Sequence, residues 1–225
     1  MPGTETFDPN GIVAGDHART HQPITVLSGE GALVRGTVMG KVSIGAASSA
    51  TKSGGNTGTG TFVLDGSTPI RAGAKVGVYQ LRCIAAATNG GTFLLTDPDG
   101  FSLGQYAISG GSGGTVTVDN DIKGVITDAG TDFALGDGFD ITVAAGSAKW
   151  KVAKTAAVDG SATPRAILAD AVDATSADAQ GQGHFEGTYA SEMLTYGTGH
   201  SATTVEAAFR AAGVPLYLKS IGAVA

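Results

Sequence analysis

Two serines stand in the five-residue frame that presents a catalytic nucleophile, Gly100-Phe-Ser102-Leu-Gly104 and Gly110-Gly-Ser112-Gly-Gly114. The frame works when a strand delivers the serine to a sharp turn and a helix follows, leaving Oγ exposed beside an oxyanion hole. Ser102 instead follows the turn Asp97-Pro98-Asp99-Gly100 and precedes a short strand pattern, and Ser112 sits in a glycine run leading into Thr115–Val118. Three fixed positions recur by chance in so glycine-rich a chain. Neither serine is expected to be catalytic.

Other chemical patterns fail on spacing. Gly36-Thr-Val-Met-Gly40-Lys41-Val42 imitates a phosphate loop, but its glycines are one residue too close and Val42 replaces the hydroxyl that holds magnesium. Asp119-Asn120-Asp121 opens like a calcium loop, yet Lys123 occupies a ligand position and Gly130 stands where a bidentate glutamate belongs. His17 and His21 are four apart in a segment rich in glycine and proline, and His184 and His200 are distant in sequence. Cys83 is the sole cysteine, so no intrachain disulfide or Cys-based zinc cluster can form. The chain reads as a non-enzyme without metal or cofactor.

Composition narrows the class. Fourteen Lys and Arg against twenty Asp and Glu give a net charge of -6, without the clustered cations that a nucleic-acid backbone requires. No apolar run approaches the roughly 20 residues that span a bilayer, and the first residues lack a basic leader with an apolar stretch, so cytoplasmic synthesis without export is expected. The 36 glycines among 225 residues disfavour helix interiors and favour turns between short strands. The expected class is mainly β, a β-rich α+β fold.

The elements expected to position these residues fall into four stretches. Residues 1–23 carry Pro2, Pro9 and Pro23 with few apolar positions beyond Phe7, Ile12 and Val13, and read as an extended arm. From Ile24 short apolar runs (24–27, 33–34 and 38–44) suggest strands, followed by a Gly/Ser/Ala stretch over 45–58 that reads as a linker or surface loop. Between 55 and 146, period-two alternation at Tyr79, Leu81 and Cys83, at Val116 and Val118, and at Phe139, Ile141 and Val143 suggests a self-contained all-β sandwich-like domain. After Trp150, strands are expected over 166–173, 184–189 and 216–218. A single helix is expected to begin at the capping box Thr203–Glu206, bury Val205, Ala208, Phe209 and Ala212, and end at Gly213 before Pro215.

Two separated blocks resemble the lambda-type head decoration proteins of tailed bacteriophages. The first is Ile12-Val-Ala-Gly-Asp16 with Ile24–Gly29 and Leu33-Val-Arg-Gly-Thr-Val-Met-Gly-Lys-Val42. The second is Ala166-Ile-Leu-Ala-Asp-Ala-Val-Asp-Ala-Thr175, then Gly183–Gly187 and the ending Ala207–Leu218. Together they span about half the chain in matching order. Compact members pass from one block to the other within a few tens of residues, whereas here residues 55–146 intervene, and Gly130–Phe139 is similar to inserts of longer members. The resemblance implies a decoration core of residues 24–54 and 147–225 interrupted by an inserted domain.

It also implies a capsid cement, made in the host cytoplasm, that sits as a homotrimer on the outer capsid surface of the virion and clamps neighbouring major capsid proteins. Phe7, Pro9, Ile12, Val13, Asp16 and Pro23 would form the capsid-binding arm. Ile167, Leu168, Val172, Leu216, Tyr217 and Leu218 would supply trimer or core contacts. The alternative is a glycan- or host-surface-binding β module, for which the insert is the candidate region, though it lacks clustered aromatics.

Overall fold

A computed structural model describes residues 11–14, 18–109 and 111–221. The predicted positions Phe7, Pro9, Asp16 and His17 lie outside these residues. The chain forms two compact units, one from Met1–Ser43 with Ala148–Ala225 and one from Ile44–Ser147. The first contributes β1 (His21–Val26), β2 (Gly31–Leu33) and β3 (Val38–Lys41). The second holds β4 (Ile44–Thr51), β5 (Thr61–Leu64), β6 (Gly77–Ala87), β7 (Gly90–Thr96), β8 (Ser102–Ile108), β9 (Thr115–Asp119), β10 (Lys123–Thr127) and β11 (Gly138–Ala145). The first unit resumes with β12 (Trp150–Val152), β13 (Pro164–Leu168), β14 (Val172–Ala174), β15 (Ala179–His184) and β16 (Gly187–Ala190), and ends with α1 (Ala202–Ala211) and β17 (Leu216–Lys219). The molecule is thus mainly β with one short C-terminal helix.

The first unit is built on a closed barrel of order β1-β12-β3-β13-β15. Strands β3 and β13 carry runs of consecutive buried residues because both of their faces are covered. Met39, Ala166 and Leu168 join Ile24, Val26 and Trp150 in one core, while their neighbours Val38 and Ile167 join Tyr189, Val205, Phe209 and Leu216 in another. Glycine is required where the barrel closes on a loop. A Cβ on Gly40 would lie 1.9 Å from the Ser161 carbonyl oxygen, so no larger residue fits between β3 and the 160–163 turn.

The helix packs Val205 and Phe209 inward, as the apolar stripe predicts, and Gly213 takes the left-handed conformation that ends it, with φ of 64°. Its start differs from the sequence expectation. Ser201 is the N-cap, with a capping box closed by Thr204, and Glu206 instead pairs with Arg210 one turn on. The run 166–173 is broken at Ala169–Ala171 into β13 and β14, and the run 184–189 breaks between β15 and β16.

The second unit packs a five-stranded sheet, β4-β11-β6-β7-β8, against a three-stranded sheet, β5-β10-β9. The alternating residues Tyr79, Leu81, Cys83, Phe139, Ile141 and Val143 fill its core with Phe93, Phe133 and Ile126. The stretch 45–58, read as a linker, is corrected by the structure. Residues 44–51 pair with β11, with Ile44 opposite Ala145, and so belong to the second unit rather than to the barrel unit. The Ala, Ser and Thr side chains of this strand are mostly exposed, with Ala47 and Ser49 half-buried, and being small and largely polar they carry no apolar alternation. The boundary therefore falls at 44 and 147 rather than 55 and 146.

Residues 56–58 are also fixed. The buried Asp137 carboxylate accepts from the amides of Thr57 at 2.9 Å, Gly58 at 2.8 Å and Ala134 at 3.0 Å. Burial pushes its pKa up, and these amides with Lys52 more than offset that, leaving it lowered.

The chain leaves and re-enters the first unit at one place, because Val42 donates to the Lys149 carbonyl and Ala148 donates to the Val42 carbonyl. Replacing residues 44–147 by Asn-Gly is expected to leave the barrel unit folded, and residues 44–147 alone are expected to fold. Circular dichroism and cooperative unfolding check both. In urea unfolding, Gly40→Ala should cost about 3 kcal/mol through forced displacement of the 160–163 turn. Asp137→Ala, which strands three amides, should cost the second unit on the order of 3 kcal/mol.

Candidate functional site

The barrel unit places the N-terminal segment on a sheet edge. Ile12–Ala14 runs antiparallel to β16, with the Ala14 amide donating to the Thr188 carbonyl at 3.0 Å and the Ala190 amide donating to the Ile12 carbonyl at 2.8 Å. On its other side β16 pairs in parallel with β17, Gly187 opposite Leu216 and Lys219 opposite Ala190. A segment with too little apolar surface to fold alone thus borrows backbone hydrogen bonds from a sheet. Ile12 and Val13 pack onto the core that holds Tyr189, Phe209 and Leu216.

Further along the same segment, Thr20 Oγ1 donates to the Glu186 carboxylate at 2.8 Å and Phe185 donates its amide to the Thr20 carbonyl at 3.0 Å. His21 follows, directly opposite His184 in the β1–β15 ladder. The two imidazoles are 4.5 Å apart between centroids, and His184 lies 4.9 Å from the Tyr189 ring. His184 is only 6% exposed and its Nδ1 is buried without a hydrogen-bond partner. Burial pushes its pKa down to about 4, with His21 and Arg19 adding to the shift. The Tyr189 hydroxyl donates to the Glu186 carbonyl, and burial raises the phenol to about 12.

Two shallow grooves open on this unit. One, of about 420 Å³, is lined by Glu186, Gly187, Thr188, Pro215 and Tyr217. Thr188 is 7% exposed and its Oγ1 is buried without a partner. The other, of about 270 Å³, brings together the predicted positions Pro23 and Val172 with Asp170 and Gln180.

The predicted site residues divide by burial. Ile12 is 5% exposed and serves the protein's own core, which corrects its assignment as an anchor for a partner. Pro23 belongs to β1, opposite Gln182, so the arm ends before the strand that begins at His21. Ile167, Leu168 and Leu216 are fully or almost fully buried and act as core residues, so they present no surface to a second copy. Tyr217, 46% exposed, and the half-buried Leu218 share β17 with Leu216. The 21–184–189 ring cluster was not legible, because cross-strand register joins residues from opposite ends of the chain.

The rejected motifs occupy structural positions. Ser102 starts strand β8, Asp119 pairs with Arg71, and Asp121 accepts the Tyr79 hydroxyl. His200 lies 2.9 Å from the Ala162 carbonyl through Nε2. Among the described residues no three His, Cys, Asp or Glu side chains gather into a metal-binding group.

No family model matches the chain, and no curated protein matches it. Among solved structures, Xanthomonas campestris FlgL in two crystal forms is similar at 22% identity with a TM-score of 0.30. The two matches cover 49% and 51% of this chain and 33% of that one, so the chain aligns with about a third of the length of FlgL.

Proposed function

We propose that this chain is a head decoration protein that binds the outside of a tailed-phage capsid as trimers and clamps neighbouring major capsid proteins. The observation that carries the reading is where the two resembling blocks go. The first block reaches into β1 and contains β3, the second reaches into β13 and the end of β15, and all four strands belong to one closed barrel. Most of the residues between the two blocks form the separate unit 44–147. An insertion into an intact decoration core would produce this division.

The capsid-binding element is the N-terminal segment. Its inner part, residues 12–14, is already held by β16, and its outer part, residues 1–10 with Phe7 and Pro9, is assigned to the partner. Three such segments per trimer would turn weak contacts into tight attachment, with avidity gains on the order of 10² to 10⁴.

Deletion of residues 1–10, which spares the buried Ile12, is expected to preserve the fold and abolish co-sedimentation with expanded heads that lack decoration protein. Undiminished co-sedimentation of the truncated protein would contradict the proposal.

A further inference from the structure

The His21–His184–Tyr189 stack sits where the N-terminal segment meets the barrel. His184 is the last residue of β15 and His21 the first of β1, paired across the ladder. Tyr189, on which His184 packs, is the residue that Val13 faces in the antiparallel bridge holding the segment. The segment's backbone bonds to Thr188 and Ala190 therefore flank the ring that His184 supports.

The charged groups around the stack come from several elements. Arg19 precedes β1, and its Cγ would be 3.2 Å from a Cβ on Gly187. Arg35 precedes β3, Asp170 follows β13, and Glu186 is engaged by Thr20. Against His184, His21, Arg19 and Arg35 act in one direction and only Asp170 opposes them. Such surroundings disfavour a metal dication as well as a proton, so the pair is poorly suited to metal binding.

We propose that this stack is an acid-sensitive latch, in which protonation of His184 beside His21 releases the segment over residues 12–14 from β16 while the barrel stays folded. A proton on His184 places a charge among rings and next to like charges, with Nδ1 lacking an acceptor to receive it. The cheapest relief is to separate β16's edge from the short segment, which two backbone bonds hold, rather than to open the six-residue β1–β15 ladder. The sign follows from burial. The fold favours neutral His184, so the latch is fully closed above the ordinary histidine value of 6.5 and weakens as pH falls towards about 4. The inference does not depend on what the segment binds.

Amide hydrogen exchange by NMR, expressed as protection relative to intrinsic rates, tests it on the full chain. Protection at Ala14 and Ala190 should fall by up to about tenfold per pH unit as pH is lowered through this range, while the barrel amides of Val38 and Leu168 hold theirs. His184→Phe should abolish the fall. Should that variant lose protection at Val38 and Leu168 already at neutral pH, His21→Gln decides, since removing the like charge should make the fall smaller. Protection at Ala14 and Ala190 that is flat in the wild type, that falls in step with Val38 and Leu168, or that falls equally in His21→Gln would overturn the latch.

Discussion

Barrel closure by a strand that arrives late in the chain is the constraint on which this structure depends. β12 lies between β1 and β3, pairing in parallel with the first at Val26–Trp150 and antiparallel with the second at Trp150–Lys41. The chain must therefore return, after the whole second unit, to the point where it left. The bonds between Val42 and residues 148 and 149 on one side, and the Ile44–Ala145 pair on the other, meet that requirement. An insert whose ends are held together in this way can change in size without altering the barrel.

The same economy governs the N-terminal segment. With few apolar side chains it cannot offset its own ordering entropy, and residues 12–14 are held where a sheet edge supplies hydrogen bonds and the core accepts Ile12. These bonds fix residues 12–14 at a defined place on the barrel unit. Tethering of that kind suits attachment to a large surface, because the entropy of positioning is met before the partner arrives.

Much of the fold was legible where one face of a strand is buried and the other is wet. Tyr79, Leu81 and Cys83, and Phe139, Ile141 and Val143, announced their strands by alternation, and Val205 and Phe209 announced the helix by their spacing. β4 was not legible because Ala, Ser and Thr pair through backbone and leave no hydrophobic signal. The split of 166–173 escaped notice because Ala169 and Ala171 read as strand residues while Asp170 turns the chain. Ile167 and Leu168, expected to supply trimer or core contacts, are core residues because both of their faces are covered. The ring cluster of His21, His184 and Tyr189 depends on register between distant strands, which a single sequence does not encode locally.

The central claim is that this barrel, with its N-terminal segment, decorates an assembled capsid. Cryo-electron microscopy of expanded heads incubated with the purified protein tests it most directly. The account predicts three-fold symmetric density on the outer surface at three-fold and quasi-three-fold positions, with the barrel unit and its N-terminal segment against the major capsid protein. Heads that carry no added density under saturating protein, or density without three-fold symmetry, would contradict it.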